Sequence, residues 1–493
     1  MLQQIFAISR LTIYLAIAFY TYSIFQAFLI YVLLDCFNNY VIMPFVFGLH
    51  KIQEGPPTIF QRCGYNVAIH AITKGEIQSI DELKKQVLSD QPKTFNRFMS
   101  KVVHFMNNYY LKDVTNSSEF VRLFDKAFIE IQDEFSNEQD VLDYIRTKIV
   151  PIRFKHDELQ FKMFLIKRFA APAKKISLQI KLNKNEDSYE NKSCVIFFYS
   201  HVITDGVGGF LALNALQEKL DLDNLPLMQT TPWKYNSKMS QATDESLLTN
   251  PMFEFVKDQN GYYLTKDYCV NDVKHITKQL KCTINDLCMT AIGIAIRKYA
   301  DEHQINIKDK IQFGLAVSQR NRPNYKEDII FNNQFRGQNS HFRVPSSTST
   351  DEIQATIKEN IESGNYIREM PYRYGNSFKS RLITYLMPVF LLQKAMTGST
   401  NEICTFTSNI SGQPRPIKLG KNVFTEKLHF AGSSSQNDFD LNIKYLLFNI
   451  CSHNNILRMS VSHANMNVNG KDIIQFLETA FDDLSLIAKK INS

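Results

Sequence analysis

From Leu11 to Leu34 the chain reads LTIYLAIAFYTYSIFQAFLIYVLL, with no charged residue. About 24 residues at about 1.5 Å rise give about 36 Å of helix, enough to cross a hydrocarbon core. The run therefore predicts a membrane helix over 11–34. Its length, and the lack of a small-residue cleavage site after Leu34, set it apart from a signal peptide. A buried amino-terminal helix is the competing reading, but such helices are usually shorter and amphipathic. A second apolar patch, YVIMPFVFGL (Tyr40 to Leu49), is too short to span and is broken by Pro44. It suits the membrane interface or the returning half of a hairpin. A single span with a cytosolic start would put the remainder in the lumen; a hairpin or an inverted span would put it in the cytosol. The sequence leaves these open.

Gly55-Pro56-Pro57 marks a break after this region. From Ile59 to about Tyr144 the apolar residues recur mostly at helical spacing. Three strand-like runs follow: Phe161 to Arg168, Ile176 to Leu182, and Ser193 to Ser200. The second alternates as a half-wet strand should, and a polar turn (Asn183 to Lys192) follows it. The third, SCVIFFYS, is apolar on both faces and predicts a central, doubly covered strand. After HVITDGVGG a helix is expected from about Phe210. Polar, weakly patterned sequence from about Asp221 to Asn260, including Trp233, predicts a crossover. LNIKYLLFNIC and ILRMSVS, joined by a turn at Ser452 to Asn455, predict a hairpin. An amphipathic helix capped by Asn469 follows, with Ile473, Leu477, Ala480, Leu484 and Ile487 on its stripe. The expected organisation is a membrane-anchoring segment at 1–54, a first α/β domain at 55–225, a crossover at 226–260 and a second domain at 261–493.

At 493 residues the chain is too long for one ordinary core, which is why two domains are the default. The net charge of +7 is spread over that length without a basic block, which argues against nucleic-acid binding. Eight cysteines form no C-x-x-C pair, and no His cluster completes a metal site; scattered thiols favour a reducing compartment.

Three constellations carry chemistry. In Ser200-His201-Val202-Ile203-Thr204-Asp205-Gly206, a His just past a buried strand can be pinned by main-chain bonds while one ring nitrogen faces a channel. Acylation of an alcohol needs such a group, because a neutral imidazole takes the hydroxyl proton and returns it to the leaving thiolate. Asp205 is expected to hold the turn through an Arg rather than to act as a second base. Gly206, Gly208 and Gly209 permit a tight turn and close backbone approach. A structural His in a turn is the plain alternative. The second constellation, Thr283-Ile284-Asn285-Asp286-Leu287-Cys288, opens a helix; Thr283 with Asp286 predicts a capping box, with Asn285 held in the first turn. A helix start and nothing more is the alternative. The third, Thr407-Ser408-Asn409-Ile410-Ser411-Gly412-Gln413-Pro414, reads as a polar turn after the strand end ICTF. Its hydroxyl and amide groups could donate to an oxyanion or thioester carbonyl; taken alone it is an ordinary loop.

Together and in this order, these segments resemble the wax ester synthase/diacylglycerol acyltransferase family of the CoA-dependent acyltransferase superfamily. SHVITDG resembles its H-H-x-x-x-D-G motif, whose second His is His201. CTINDLCMTAIGIAIRKY resembles its segment around an Asn-Asp pair, at Asn285 and Asp286. GLAVSQR resembles a strand segment ending in Arg, here Arg320, and FNNQFRG a segment with Asn333 in the Asn position. TSNISGQPRPIKLGKNV resembles the Ser-Asn-x-x-Gly-Pro segment, at Ser408, Asn409 and Gly412. Three departures are visible: Ser200 replaces the first His, Glu158-Leu159-Gln160 stands where the family has Pro-Leu-Trp, and Asn332 replaces the glycine before Asn333.

The resemblance implies a two-domain α/β fold of the chloramphenicol acetyltransferase type, with His201 as general base where a tunnel opens to both substrates. It implies that Asp205, Gly206 and Arg320 support the site, and that Asn285, Asp286, Ser408, Asn409 and Gly412 are substrate-binding or oxyanion candidates. It implies acyl-CoA as a substrate, no metal or cofactor, and a fatty alcohol or diacylglycerol as acceptor, giving wax ester or triacylglycerol. A lipid membrane is the expected partner, the endoplasmic reticulum the expected location, and a cytosolic catalytic part the expected arrangement. The alternatives are another alcohol or amine acceptor, or a lipid-binding protein on the same scaffold.

Overall fold

The computed structural model describes residues 37–52, 64–90, 95–105, 108–172, 189–217, 221–226, 228, 255–325, 328–369, 405–421, 423–434 and 444–491, with isolated positions between 16 and 34. The predicted membrane helix at 11–34 lies mostly outside these residues, as do the expected strand at 176–182 and Trp233. Among the described residues no helix is long and apolar enough to cross a membrane.

The strands, in chain order, are β1 (His50–Lys51), β2 (Tyr65–Lys74), β3 (Ser100–Phe105), β4 (Asn108–Asp113), β5 (Phe128–Ile131), β6 (Phe161–Pro172), β7 (Tyr189–Ser200), β8 (Phe255–Leu264), β9 (Tyr268–Cys269), β10 (Lys310–Ser318), β11 (Phe335–Arg343), β12 (Thr405–Ser411), β13 (Lys418–Gly420), β14 (Val423–Ser434), β15 (Tyr445–His453) and β16 (Ile456–Met466). Two large sheets carry the fold. The first runs β13-β14-β2-β7-β6-β5 and the second β11-β10-β12-β15-β16-β8, with β9 also on β16; a small sheet, β1-β4-β3, stands apart. β14 pairs antiparallel with β2, with a bulge between Thr425 and Lys427 and His429 opposite His70, so a segment from late in the chain extends the first sheet.

β7 is central and buried along its apolar run, because β2 and β6 flank it and cores lie on both faces. One face packs against the helix Gly206–Ala215, every residue of which from Val207 onward is buried. That all-round apolar helix is what a position between a sheet and neighbouring elements demands. The second sheet buries its other face under Ile284–Glu302 and Gly470–Ile491, where Leu477, Ala480 and Leu484 pack with Ile292 and Ala295.

Three expectations need correction. The stretch 59–144 holds β2 to β5 as well as helices; β2 is buried on both faces, so burial along it has no two-residue alternation. The helix after β7 starts at Gly206, not near Phe210, which places the three glycines inside its first turn. Residues 407–411 are the body of β12 rather than a turn. β12 lies between two parallel partners, β10 and β15, and its main-chain bonds hold it extended despite its polar side chains.

Candidate active site

His201 is the first residue past β7. Its amide donates to the Tyr65 carbonyl at 3.0 Å, while the Ser200 amide donates to Gln160 O at 2.9 Å. The strand thus keeps bonding on both sides up to the point where the ring leaves it. Asn333 Nδ2 donates to the His201 carbonyl at 2.9 Å and fixes the residue from the second sheet's side. The ring lies 5.4 Å from the Tyr65 ring and 5.6 Å from that of Phe335, centroid to centroid. It keeps 8 % of its surface accessible. Burial pushes its pKa below the ordinary imidazole value; the nearby Asp205 carboxylate, the ring's own main chain and Asn333 oppose that shift without cancelling it. The imidazole is therefore neutral at neutral pH, the form a general base needs.

Asp205 is the N-cap of the following helix, where its Oδ1 accepts from the Gly208 amide at 2.8 Å. The same carboxylate takes Arg320 Nε at 3.0 and 3.2 Å and the Gln334 amide at 2.7 Å. Arg320 in turn donates to Ile330 O (2.7 Å), to Thr204 Oγ1 (3.1 Å) and to Asn332 O. Thr204 also donates to Asn332 O at 3.1 Å. The pair is deeply buried, at 3 % and 7 % side-chain exposure. These bonds clamp the turn 201–205 to the 330–334 segment, the place where Asn332 stands instead of glycine. Tight packing explains the glycines. A Cβ on Gly208 would meet Thr204 Oγ1 at 1.8 Å, and one on Gly206 would meet Ile410 Cδ1 at 2.6 Å.

The remaining candidates divide by strand parity. Phe406, Ser408 and Ile410 share one face of β12. Phe406 joins an apolar cluster with Tyr65, Tyr445, Leu447 and Ala464, and Ile410 reaches Gly206, so this face turns toward the first sheet. Ser408 stands between them. Asn409 points the other way and donates to Asn285 Oδ1 at 3.0 Å in an exposed setting. Asp286 is consumed by the capping box, with Oδ2 accepting from the Thr283 amide (3.0 Å) and hydroxyl (2.7 Å). Gly412 packs so closely that a Cβ would meet Ser452 O at 2.5 Å. His201, Asp205, Gly206, Arg320 and Asn333 thus come together; Asn285 and Asn409 form a separate pair. Tyr65, Phe335 and Gln334 join the His201 neighbourhood unforeseen. Tyr65 carries no local motif, since its place depends on β2 pairing with β7. Among the described residues no group of three His, Cys, Asp or Glu side chains converges as a metal site, and Cys194, Cys269, Cys282, Cys288 and Cys451 are free thiols.

This arrangement is the two-domain α/β fold of the CoA-dependent acyltransferases. The wax ester synthase/diacylglycerol acyltransferase from Marinobacter aquaeolei VT8 shares it at a TM-score of 0.53 and 10% identity, covering 86% of this chain and 95% of that one. The trichothecene 15-O-acetyltransferase from Fusarium sporotrichioides superposes with a TM-score of 0.59 at 11% identity, over 89% and 95%. The first condensation domain of the CDA synthetase does so with a TM-score of 0.52 at 10% identity, over 87% and 92%. No family model matches the chain, and no curated protein matches it by sequence.

Proposed function

We propose that the protein is an acyl-CoA-dependent O-acyltransferase that moves a long-chain acyl group onto a lipid hydroxyl, with His201 as general base. The observation that carries this reading is a buried imidazole at the end of β7, its pKa pushed down by that burial, beside a carboxylate whose partners are all accounted for. Asp205 already accepts from an arginine and two main-chain amides, so it serves the turn and leaves proton transfer to His201.

His201 takes the proton of the acceptor hydroxyl as its oxygen attacks the thioester carbonyl carbon. The new C–O bond forms, the C–S bond breaks, and the imidazolium returns the proton to the departing thiolate, giving an ester and free CoA. The developing oxyanion needs donors nearby, and Ser408, on the β12 face turned toward the first sheet, is the candidate for that role. The apolar cluster of Tyr65, Tyr445, Leu447, Phe406 and Ala464 beside the base supports apolar substrates over charged ones. Fatty alcohol and diacylglycerol are the proposed acceptors. The uncharged run 11–34 supports a membrane location, the endoplasmic reticulum, with the catalytic part cytosolic, where acyl-CoA is supplied.

Purified full-length protein given labelled long-chain acyl-CoA with a long-chain alcohol, diacylglycerol or a sterol in turn tests this. Labelled wax ester or triacylglycerol is the expected product. Product from the sterol alone would move the acceptor class, and no CoA release with any of the three would overturn the enzymatic reading.

A further inference from the structure

A stripe of exposed apolar side chains is rigidly mounted on the folded body. Phe37, Val41 and Phe45 recur every fourth residue, neighbours on one helix face, and are exposed by 55, 39 and 83 %. Val46 and Phe47 extend it, at 63 and 54 %. The opposite side is the buried one. Asn39 Oδ1 accepts from the Tyr110 hydroxyl at 2.6 Å, and Met43 and Leu49 pack with Tyr110 in a small core. A helix on a water-facing surface would show the reverse polarity.

The mounting is firm. The helix Met43–Phe47 ends at Gly48, which takes φ +62° and donates its amide to Met43 O and Pro44 O. Its left-handed backbone turns the chain directly into β1. β1 pairs with β4, His50 opposite Leu111 and Lys51 opposite Tyr110, and the Ile52 amide donates to Tyr109 O at 3.1 Å. The stripe therefore has a fixed position on the β1-β4-β3 sheet.

We infer that this stripe, from Phe37 to Phe47, is a second membrane contact that seats the folded body on the bilayer. It rests on the membrane reading above and adds to it the surface that touches lipid. Two observations favour lipid over a protein partner. The stripe is continuous with the uncharged run 11–34, interrupted only by Asp35, and no acidic or basic side chain occurs again until His50 and Lys51. It is also aromatic at its tip, where Phe45 and Phe47 flank Val46, a composition suited to the acyl-chain boundary. Asn39 faces the body, where it is buried.

The test places a reporter in the stripe. Trp233 is the single tryptophan, so full-length Trp233→Phe, Phe45→Trp protein carries one indole. Mixed with phosphatidylcholine vesicles and with matched vesicles of brominated phosphatidylcholine, it should float with both and lose most of its indole emission with the brominated lipid. Val46→Trp in the same background repeats the reading if the first variant does not fold. Flotation without quenching overturns the inference, as does failure to float. A blue-shifted, unquenched emission with doubled mass overturns it in favour of a second copy. Because acyl transfer is measured separately by CoA release, an unquenched but active protein would sink this inference alone.

Discussion

Arg320 and Asp205 form a buried ion pair, Nε to Oδ1 at 3.0 Å, that ties the turn after β7 to the end of β10. A bond network surrounds it, so removing one partner leaves the other charged in a dry setting. Asp205→Asn is expected to lower unfolding free energy by about 3–5 kcal/mol, the range for breaking a buried pair. Chemical denaturation reads that loss. Residual activity should keep a single acid limb, moved toward lower pH because the carboxylate no longer favours the protonated His201 ring. Unchanged stability, or an acid limb moved toward higher pH, would contradict this.

Gly208 sits where a Cβ would run into Thr204, a side chain already held by Arg320 and Asn332. Gly208→Ala should therefore destabilise by about 1–3 kcal/mol through overpacking. Gly337→Ala is the control, since nothing lies within 4 Å of its added methyl. Melting temperatures of the two variants compare them directly.

His70 and His429 face each other across β2 and β14, ring centroids 6.0 Å apart, and both are fully buried. Burial, with Arg458 nearby, lowers His70 to about 3, against the opposing pull of Glu138. Burial, His70 and Arg458 lower His429 well below its ordinary value. A histidine whose folded pKa is depressed gives stability above its unfolded pKa that is lost as pH falls toward the folded one. Each ring should thus cost about 1.4 kcal/mol per pH unit below about 6.5. His429→Phe is expected to be less acid-sensitive than wild type between about pH 6.5 and 4.5, as judged by urea midpoints. Equal slopes would refute the assignment.

Thr283 caps the helix Ile284–Glu302 with both halves of a capping box. Thr283→Ala should cost about 1 kcal/mol. The same change should leave CoA release unaltered, because this box is separate from the His201 cluster; a fall in turnover at full stability would bring the segment back into the site.

Local signals carried part of this architecture. The capping box at Thr283, the doubly buried β7 and the closing β15–β16 hairpin with its Asn469-started helix were legible, because each depends on neighbours in sequence. β2 was not, since a strand buried on both faces loses its two-residue rhythm. β12 was not either: its Thr, Ser and Asn side chains favour turns, and only pairing with two distant strands holds it straight. The same limit hid Tyr65 and split Asn409 from Ser408, since parity along a strand matters only once the strand is known. Motif order, by contrast, set Arg320 and Asp205 in one site, and the ion pair joins them.

The central claim is that one neutral imidazole does the proton transfer. The most direct measurement is CoA release from long-chain acyl-CoA with a long-chain alcohol, for wild type and His201→Ala, as a function of pH. Wild-type turnover should stay level down to about pH 6.5 and fall only in more acidic buffer, because burial depresses the base. The variant should keep its melting temperature and lose turnover by about 100-fold or more, the low end of general-base catalysis. A folded His201→Ala protein that releases CoA at the wild-type rate would contradict the account.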